Sequence, residues 1–247
     1  MNLVVVADYA ALCRAVAGRI GSLARLNPTA VLGLPTGETP MGAYRELARR
    51  VRNDDLDLSR VTIFTLDEYL DVGRGDPRCL ADWLDREFAR PCGIDPTRVH
   101  APDGQATEPA AMCVEYEAAI ANAGGIDLQV CGLGPNGHVG FNEPLSRVDA
   151  RTRVVRLAPD SLASNARYWG SPDKVPHYGI TMGLGTLMEA REILLLVSGI
   201  TKSRVLREVV DGPVTPSIPA SLLRRHPRFT IIADRHAAAE LETEVNQ

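Results

Sequence analysis

The amino-acid sequence predicts a doubly wound α/β fold, in which a mostly parallel, Rossmann-like β-sheet carries helices on both faces. Two observations predict it. Short apolar runs of four to six residues end at Gly, Pro or Asp, as buried strands do, and stretches with apolar residues at helical spacing separate them. A strand, a helix and a further strand in alternation imply parallel strands joined by crossover helices.

The predicted strands and helices alternate along the whole chain. The strands are rich in Leu or β-branched residues and span Leu3–Ala7, Ala30–Leu34, Val61–Thr65, Leu128–Leu133, Ile193–Ser198 and Phe229–Ala233. The helices are predicted over Tyr9–Leu26, Met41–Val51, Cys79–Phe88, Glu108–Asn122 and Lys202–Val210. No change in composition marks a linker and no segment repeats, so a single domain is expected over residues 1–247.

The composition argues against several classes of protein. The 27 basic and 31 acidic residues give a net charge of −4, whereas a nucleic-acid surface needs clustered positive charge. The longest apolar run, Ile193–Val197, is far shorter than the ~20 residues that cross a bilayer. The N-terminus has no basic lead-in of the kind that opens a secretory signal. We therefore expect no nucleic-acid partner and no membrane segment.

The cysteines indicate a reducing compartment. They number five, which is odd, and their spacing matches neither a metal site nor a redox pair. Disulfide frameworks belong to oxidising compartments. We expect reduced core cysteines in a cytoplasmic protein.

Three loops that follow predicted strands carry residues suited to chemistry. In a doubly wound sheet, ligands bind outside the carboxyl ends of the strands, where the strand order reverses. The first loop reads Pro-Thr-Gly-Glu-Thr-Pro over residues 35–40 and runs into a helix, whose free backbone N–H groups attract an anion. We expect Thr39 to cap this helix and Pro40 to take its first position. An ordinary capped helix start explains the same residues.

The second loop places Asp67 and Glu68 just past a strand end. A carboxylate in that position can act as a general base. A helix cap followed by a solvated Glu explains the same pair, so the pair alone decides nothing.

The third loop, residues 132–144, places Asn136, His138 and Glu143 within eight residues. Its glycines permit bends that aim these side chains at one spot, and a neighbouring carboxylate can make a His a proton shuttle near neutral pH. The glycines match neither a nicotinamide fingerprint nor a Walker loop. Acid–base chemistry without a metal or cofactor is therefore expected.

Together these loops resemble the glucosamine-6-phosphate deaminase family. The matching stretches keep the family order over nearly the whole chain: Leu-Gly-Leu-Pro-Thr-Gly at 32–37, Leu-Asp-Glu-Tyr at 66–69, Gly-His-Val-Gly-Phe-Asn-Glu-Pro at 137–144, Arg-Thr-Arg at 151–153, Thr-Met-Gly-Leu-Gly-Thr-Leu at 181–187 and Pro-Ala-Ser at 219–221. The related 6-phosphogluconolactonases share the fold and a Gly-His loop but lack the Phe-Asn-Glu-Pro continuation.

The resemblance implies conversion of an amino-sugar phosphate and water into fructose 6-phosphate and ammonia. The sugar ring opens, an aldose-to-ketose isomerisation follows, and the amine leaves. By motif position, Asp67 resembles the base that moves a proton between C2 and C1, and His138 resembles the group that serves the ring oxygen. Asn136 and Glu143 look like the partners that orient the histidine.

The resemblance also implies a phosphate site. In the family it combines the Pro-Thr-Gly loop, an Arg on a mobile helical lid and a Lys after a later strand. In this chain the lid is expected near residues 159–170, and the implied phosphate ligands are Thr36, Gly37, Thr39, Arg167 and Lys202. Lys202 is one of only two lysines in the chain.

Two positions depart from the family pattern. Asn136 stands where many members have Asp, so we expect His138 to depend more on Glu143. Glu38 replaces a small residue in the phosphate loop. At an effective dielectric of 20, two like charges ~5 Å apart repel by about 3 kcal/mol, so Glu38 is expected to point away from the phosphate.

Two other functions compete with the deaminase. Lactone hydrolysis on the same fold is disfavoured by Phe-Asn-Glu-Pro at 141–144. A sugar-phosphate sensor without turnover is suggested by Asn136 and Glu38, but such a protein does not need Asp67, His138 and Glu143.

Regulation is expected to be absent. Some family members are hexamers activated by N-acetylglucosamine 6-phosphate between subunits, and members differ in oligomeric state, so the resemblance allows a homo-oligomer. Arg153 of the activator site is kept, but Val155 stands where a lysine is expected, and the chain ends at Gln247, short of the regulated members.

Overall fold

Two β-sheets of different kinds form the framework. The computed structural model describes residues 1–242, and the strands in that range are β1 (Asn2–Val6), β2 (Val31–Leu34), β3 (Thr62–Thr65), β4 (Asp67–Tyr69), β5 (Val99–His100), β6 (Leu128–Gly132), β7 (Arg153–Arg156), β8 (Tyr178–Thr181), β9 (Ile193–Val197) and β10 (Phe229–Asp234). A parallel sheet has the order β1-β10-β9-β6-β2-β3-β5, and β4, β8 and β7 form a small antiparallel sheet.

Helices connect the strands of the parallel sheet. In the same range they are α1 (Tyr9–Leu26), α2 (Glu38–Arg52), α3 (Leu80–Leu84), α4 (Pro109–Asn122), α5 (Pro159–Trp169), α6 (Leu184–Met188), α7 (Ser203–Val210), α8 (Pro219–Leu222) and α9 (Ala239–Glu242). A π-helical stretch, Asp85–Ala89, continues α3, and short 3₁₀ turns span Arg90–Cys92, Pro96–Arg98, Pro172–Lys174, Ile200–Lys202 and Leu223–Arg225.

Both faces of the large sheet are buried, as its strand composition requires. In β9, Leu194 and Leu196 pack with α1 and α2, whereas Ile193, Leu195 and Val197 pack with α4, α6 and α7. Side chains that alternate between two covered faces explain why the strand is apolar throughout. A third, smaller apolar cluster lies beside the antiparallel sheet. The predicted doubly wound class is confirmed.

The strand order reverses between β2 and β6. From β2 the chain proceeds outward through β3 to β5, and from β6 it proceeds the other way through β9 to β10. The helices after these strands leave the sheet on opposite faces, which opens a crevice at the carboxyl ends of β2 and β6.

Several boundaries differ from the sequence predictions. Helix α2 begins at Glu38, and its N-cap is Gly37 with a φ of +100° and no side-chain cap, so the predictions that Thr39 caps the helix and that Pro40 opens it were wrong. Glycine adopts positive φ without the steric cost that a Cβ brings, which allows this earlier turn. Asp67 and Glu68 lie in the buried strand β4, so the alternative of a helix cap and a solvated Glu was also wrong.

The structure of residues 1–242 bears on the expectations for the cysteines and for membrane-spanning helices. All five cysteines are free and buried. None of the helices in residues 1–242 combines the length and apolar character that crossing a bilayer requires.

Candidate active site

The predicted site residues converge at the carboxyl edge of four neighbouring strands. In the order β9-β6-β2-β3, these strands lead into Lys202, the loop with His138, the loop with Gly37, and Asp67. Each group comes from a different part of the chain. Their convergence follows from the parallel topology, because it brings the carboxyl ends of all four strands to one edge.

Asn136 links His138 to Glu143. The Nδ1 atom of His138 lies 2.7 Å from Oδ1 of Asn136, and Nδ2 of Asn136 donates to Oε2 of Glu143 at 3.0 Å. Since the amide oxygen can only accept, Nδ1 carries the proton and Nε2 is left free for a substrate atom. The glycine-lined loop therefore presents one defined tautomer of the imidazole.

This geometry gives a physical reason for Asn at position 136. The amide accepts from the imidazole and donates to the carboxylate, which a second carboxylate in the same place could not do without facing Glu143. The direct separation between Nδ1 of His138 and Oε2 of Glu143 is 3.5 Å. The expected dependence of His138 on Glu143 is thus transmitted through Asn136.

The carboxylate of Glu143 is charged and well coordinated. Burial would raise its pKa, but His138, Ser161 and Asn136 together lower that pKa to about 2. Oε1 accepts a short hydrogen bond from the Ser161 hydroxyl and another from the Ala158 N–H at 3.3 Å. A permanent negative charge in this place stabilises the imidazolium that forms when His138 takes up a proton.

Gly134 allows the imidazole to lie against the backbone. A Cβ added at this position would lie 2.2 Å from Nε2 of His138. Glycine is required here because a side chain would collide with the imidazole, and not because the backbone angles are unusual.

Asp67 is a buried carboxylate suited to general-base chemistry. It is 8% exposed, and burial together with the charge of Glu68 raises its pKa to about 7. Within residues 1–242 no protein donor forms a hydrogen bond with the Asp67 carboxylate. A base with a pKa near the working pH combines a useful ionised fraction with strong proton affinity.

The backbone of the His138 loop lies beside this base. A Cβ placed on Gly140 would be 3.4 Å from Oδ2 of Asp67 and 2.9 Å from the Thr181 hydroxyl. Asp67 and Thr181 are also partners in the register of β4 and β8. The small sheet therefore positions the base next to the loop that carries the histidine.

Glu68 has a different role from its neighbour. It is 1% exposed and accepts hydrogen bonds from the backbone N–H groups of Tyr69, Leu80 and Ala81 at 2.8, 3.1 and 2.9 Å. Its carboxylate thus ties the start of α3 to β4. We assign it a structural role.

Two cations and the start of α2 lie close together, which is the arrangement that the predicted anion site requires. Burial and the nearby charge of Arg167 lower the pKa of Lys202. No acceptor in the described part of the chain binds the Lys202 ammonium. Two close cations, of which Lys202 has no acceptor of its own among the described residues, favour an anionic ligand.

The predicted phosphate loop lies next to these cations. Thr36 and Gly37 precede α2, and Thr39 lies in its first turn. Because α2 has no side-chain cap, its first N–H groups remain available to an anion. Glu38, however, forms an ion pair of 2.8 Å with Arg167, and both side chains are more than half exposed. The Glu38 carboxylate therefore contacts Arg167, one of the side chains that are predicted to bind the phosphate.

Sequence reasoning missed Ser161, Gly134 and Thr181 as parts of this site. Ser161 is 1% exposed although it lies in a helix whose other residues are at least partly exposed. A buried serine in a mostly exposed helix can be recognised only when the packing of that helix in the fold is known.

In residues 1–242 no group of three or more His, Cys, Asp or Glu side chains is arranged to hold a metal ion.

The fold and the site together define an α/β enzyme class with an acid–base set beside an anion site. The chain belongs to the glucosamine-6-phosphate isomerase/6-phosphogluconolactonase family, whose model matches residues 7–231. It is 42% identical to a glucosamine-6-phosphate deaminase of Halothermothrix orenii, over 98% of this chain and 100% of that protein. It is 44% identical to a glucosamine-6-phosphate deaminase of Pseudarthrobacter chlorophenolicus, over 98% of this chain and 93% of that protein. The suspected family resemblance is confirmed.

Solved structures agree with this assignment. The structure of a monomeric glucosamine-6-phosphate deaminase, 36% identical, matches with a TM-score of 0.95 over 97% of this chain and 100% of the other. A 6-phosphogluconolactonase from Trypanosoma cruzi, 22% identical, matches with a TM-score of 0.76 over 97% and 96%. At that identity the second match shows a common fold alone.

Removing either cation of the anion site should weaken binding of a phosphorylated substrate. Lys202→Ala and Arg167→Ala each remove one partner of a charged hydrogen bond, which costs ~1.5–3 kcal/mol, or about 10- to 100-fold in affinity. Steady-state kinetics should show this weaker binding as a higher KM for glucosamine 6-phosphate. An unchanged KM in both variants would place the phosphate elsewhere.

Glu38→Gln serves as the companion variant for this test. It removes the carboxylate that occupies Arg167 and repels a phosphate, so the KM should fall. Because an exposed ion pair is worth about 0–1 kcal/mol, the expected decrease is at most about fivefold.

Proposed function

We propose that this protein is a glucosamine-6-phosphate deaminase, which converts glucosamine 6-phosphate and water into fructose 6-phosphate and ammonia. The observation that carries the proposal is a pair of acid–base groups on one sheet edge. One is a buried Asp67 with a pKa of about 7, and the other is His138 held by Asn136. Both lie at the edge that also carries Lys202 and the free start of α2.

The two groups divide the chemistry between them. Nε2 of His138 moves the proton at the ring oxygen as the sugar opens, and Glu143 stabilises the imidazolium through Asn136. Asp67 then moves the proton between C2 and C1 of the open chain, which converts the 2-amino aldose into the imine of the ketose. Addition of water at C2 of this imine releases ammonia and leaves fructose 6-phosphate. Lys202, Arg167 and the N–H groups around Gly37 hold the phosphate, with Thr36 and Thr39 beside it.

The test is ammonia release by the purified protein from glucosamine 6-phosphate, with no metal or nucleotide added. A parallel assay with galactosamine 6-phosphate shows whether the enzyme prefers the gluco- or the galacto-configured amino sugar. A parallel assay with 6-phosphogluconolactone separates deamination from lactone hydrolysis. Ammonia from neither amino sugar, with tight binding of both, would favour a sensor. Lactone hydrolysis alone would overturn the proposal.

We further propose that the protein acts in the cytoplasm, and as a monomer rather than a homo-oligomer. Its free, buried cysteines fit a reducing compartment. The proposal of a monomer is supported by the relative of solved structure, described as a monomeric deaminase. Sedimentation of the purified protein tests the oligomeric state.

Velocity should depend hyperbolically on substrate concentration. Val155 replaces the lysine expected at an activator site, and the Arg153 guanidinium donates to Oδ1 of Asn142 at 3.0 Å within the same chain. Loss of one ammonium–phosphate contact removes ~1.5–3 kcal/mol, comparable to a typical allosteric coupling. N-acetylglucosamine 6-phosphate should therefore act only as a weak competitor. Sigmoidal curves that it makes hyperbolic would contradict this expectation.

A further inference from the structure

Helix α5 carries one side chain that is buried completely, and it is polar. Ser161 is 1% exposed, whereas the other residues of α5 are partly or fully exposed. A buried hydroxyl costs free energy unless it forms a hydrogen bond. A small apolar residue such as alanine would fill the same volume. The contacts of the hydroxyl are therefore what explain a serine at this position.

Those contacts lead to the acid–base set. The Ser161 hydroxyl donates to Oε1 of Glu143 and lies 3.4 Å from Nδ1 of His138. The Ala158 N–H, just before the helix, donates to the same carboxylate oxygen at 3.3 Å. The first turn of α5 therefore holds one oxygen of Glu143, while Asn136 holds the other.

The far end of the same helix reaches the anion site. Arg167 lies six residues after Ser161, about 9 Å further along the helix axis. Its guanidinium forms the ion pair with Glu38 at the start of α2. The same helix thus contacts both the acid–base set and the predicted anion site.

We propose that Ser161 is a positioning residue, which fixes the Glu143 carboxylate toward Asn136 and His138 only while α5 is seated, so that anion binding at Arg167 is coupled to proton transfer at His138. The proposal rests on the proposed deaminase function. When α5 is displaced, Glu143 loses both donors to Oε1 and can rotate away from Asn136. The histidine then loses the orientation that frees Nε2 for the ring oxygen.

Kinetics of Ser161 variants test the positioning role. Ser161→Ala should lower kcat for glucosamine 6-phosphate by about 10-fold or more, with KM within about threefold, because the contact acts on the transition state. Ser161→Thr, which keeps the hydroxyl, should restore kcat to within about threefold of wild type. Ser164→Ala is the matched control, because the hydroxyl of this exposed residue donates to the Ser161 backbone carbonyl at 3.1 Å and not to Glu143 or His138, and it should leave both constants unchanged.

A double-variant cycle tests the coupling. In the wild-type background Arg167→Ala should lower kcat as well as raise KM, since it unseats the helix. In the Ser161→Ala background the same change should raise KM without a further loss of kcat. Additive losses of kcat would overturn the proposal, because they would mean that the two residues act independently.

A measurement without turnover separates this proposal from the proposed function. Titration with inorganic phosphate should shift the ring resonance of His138 in the wild type and in Ser164→Ala, and not in Ser161→Ala. His138→Gln assigns that resonance among the five histidines. If the wild type releases no ammonia but shows this pattern, the deaminase function fails while the coupling stands.

The outcomes that overturn the proposal are equally definite. They are an unchanged kcat in Ser161→Ala, a Ser161→Thr variant as slow as Ser161→Ala, or a His138 resonance that ignores phosphate in the wild type. If Ser161→Ala does not fold, Ser161→Cys replaces it, since a thiol is a much weaker donor of similar size. Its kcat is expected to fall in the same way.

Discussion

Replacing Asp67 by Asn should reduce ammonia release from glucosamine 6-phosphate by about 10³-fold or more, while substrate binding stays within a few-fold of wild type. An amide cannot take up the proton that moves between C2 and C1, and only the transition state needs that base. The variant should still interconvert the substrate anomers, because ring opening belongs to His138. More than a tenth of wild-type turnover would show that another group is the base.

The raised pKa of Asp67 provides a stability control for the same variant. A carboxyl whose pKa rises from 3.8 to about 7 on folding contributes stability that is complete below pH ~4 and is lost as the pH rises through about 7. The full difference corresponds to about 4 kcal/mol. Asp67→Asn should therefore melt no lower than wild type at pH 8, so unfolding cannot explain its inactivity. The wild-type kcat/KM should in turn fall below pH 7 as Asp67 is protonated.

Replacing His138 by Gln should slow ammonia release by about 10²–10⁴-fold, because the ring oxygen loses its proton carrier. Gln keeps a polar side chain but cannot exchange protons near neutral pH. In contrast with Asp67→Asn, this variant should also lose the acceleration of anomer interconversion, which NMR can follow in the same sample. His177→Gln, at an exposed histidine, is the matched control. A variant that opens the ring at the wild-type rate would remove His138 from this role.

Local patterns were sufficient to predict the large sheet and the site loops. An apolar run such as Ile193–Val197 predicts a buried strand from its composition alone. The parallel topology then determines that the loops after these strands lie at one edge of the sheet. The small sheet was missed because its strands do not form apolar runs: β4 reads Asp-Glu-Tyr, and β7 begins and ends with arginine. Without such a run, a short strand gives no composition signal of burial.

Contacts between distant parts of the chain could not be predicted. The Glu38–Arg167 ion pair joins residues 129 positions apart, and no local pattern indicates it. The pKa of Asp67 depends on burial by surrounding elements, and the role of Ser161 depends on where α5 packs. In each case the residue type was visible in the sequence, but its surroundings were not.

The sparse burial of α5 has an energetic consequence for the fold as a whole. Besides Ser161, its apolar contacts come from Leu162 and Trp169, which pack against the third cluster while remaining partly exposed. Segments with few buried apolar contacts unfold locally at a free energy far below that of global unfolding. Local unfolding of α5 is therefore expected to cost less free energy than opening of β9, which is fully buried along its length.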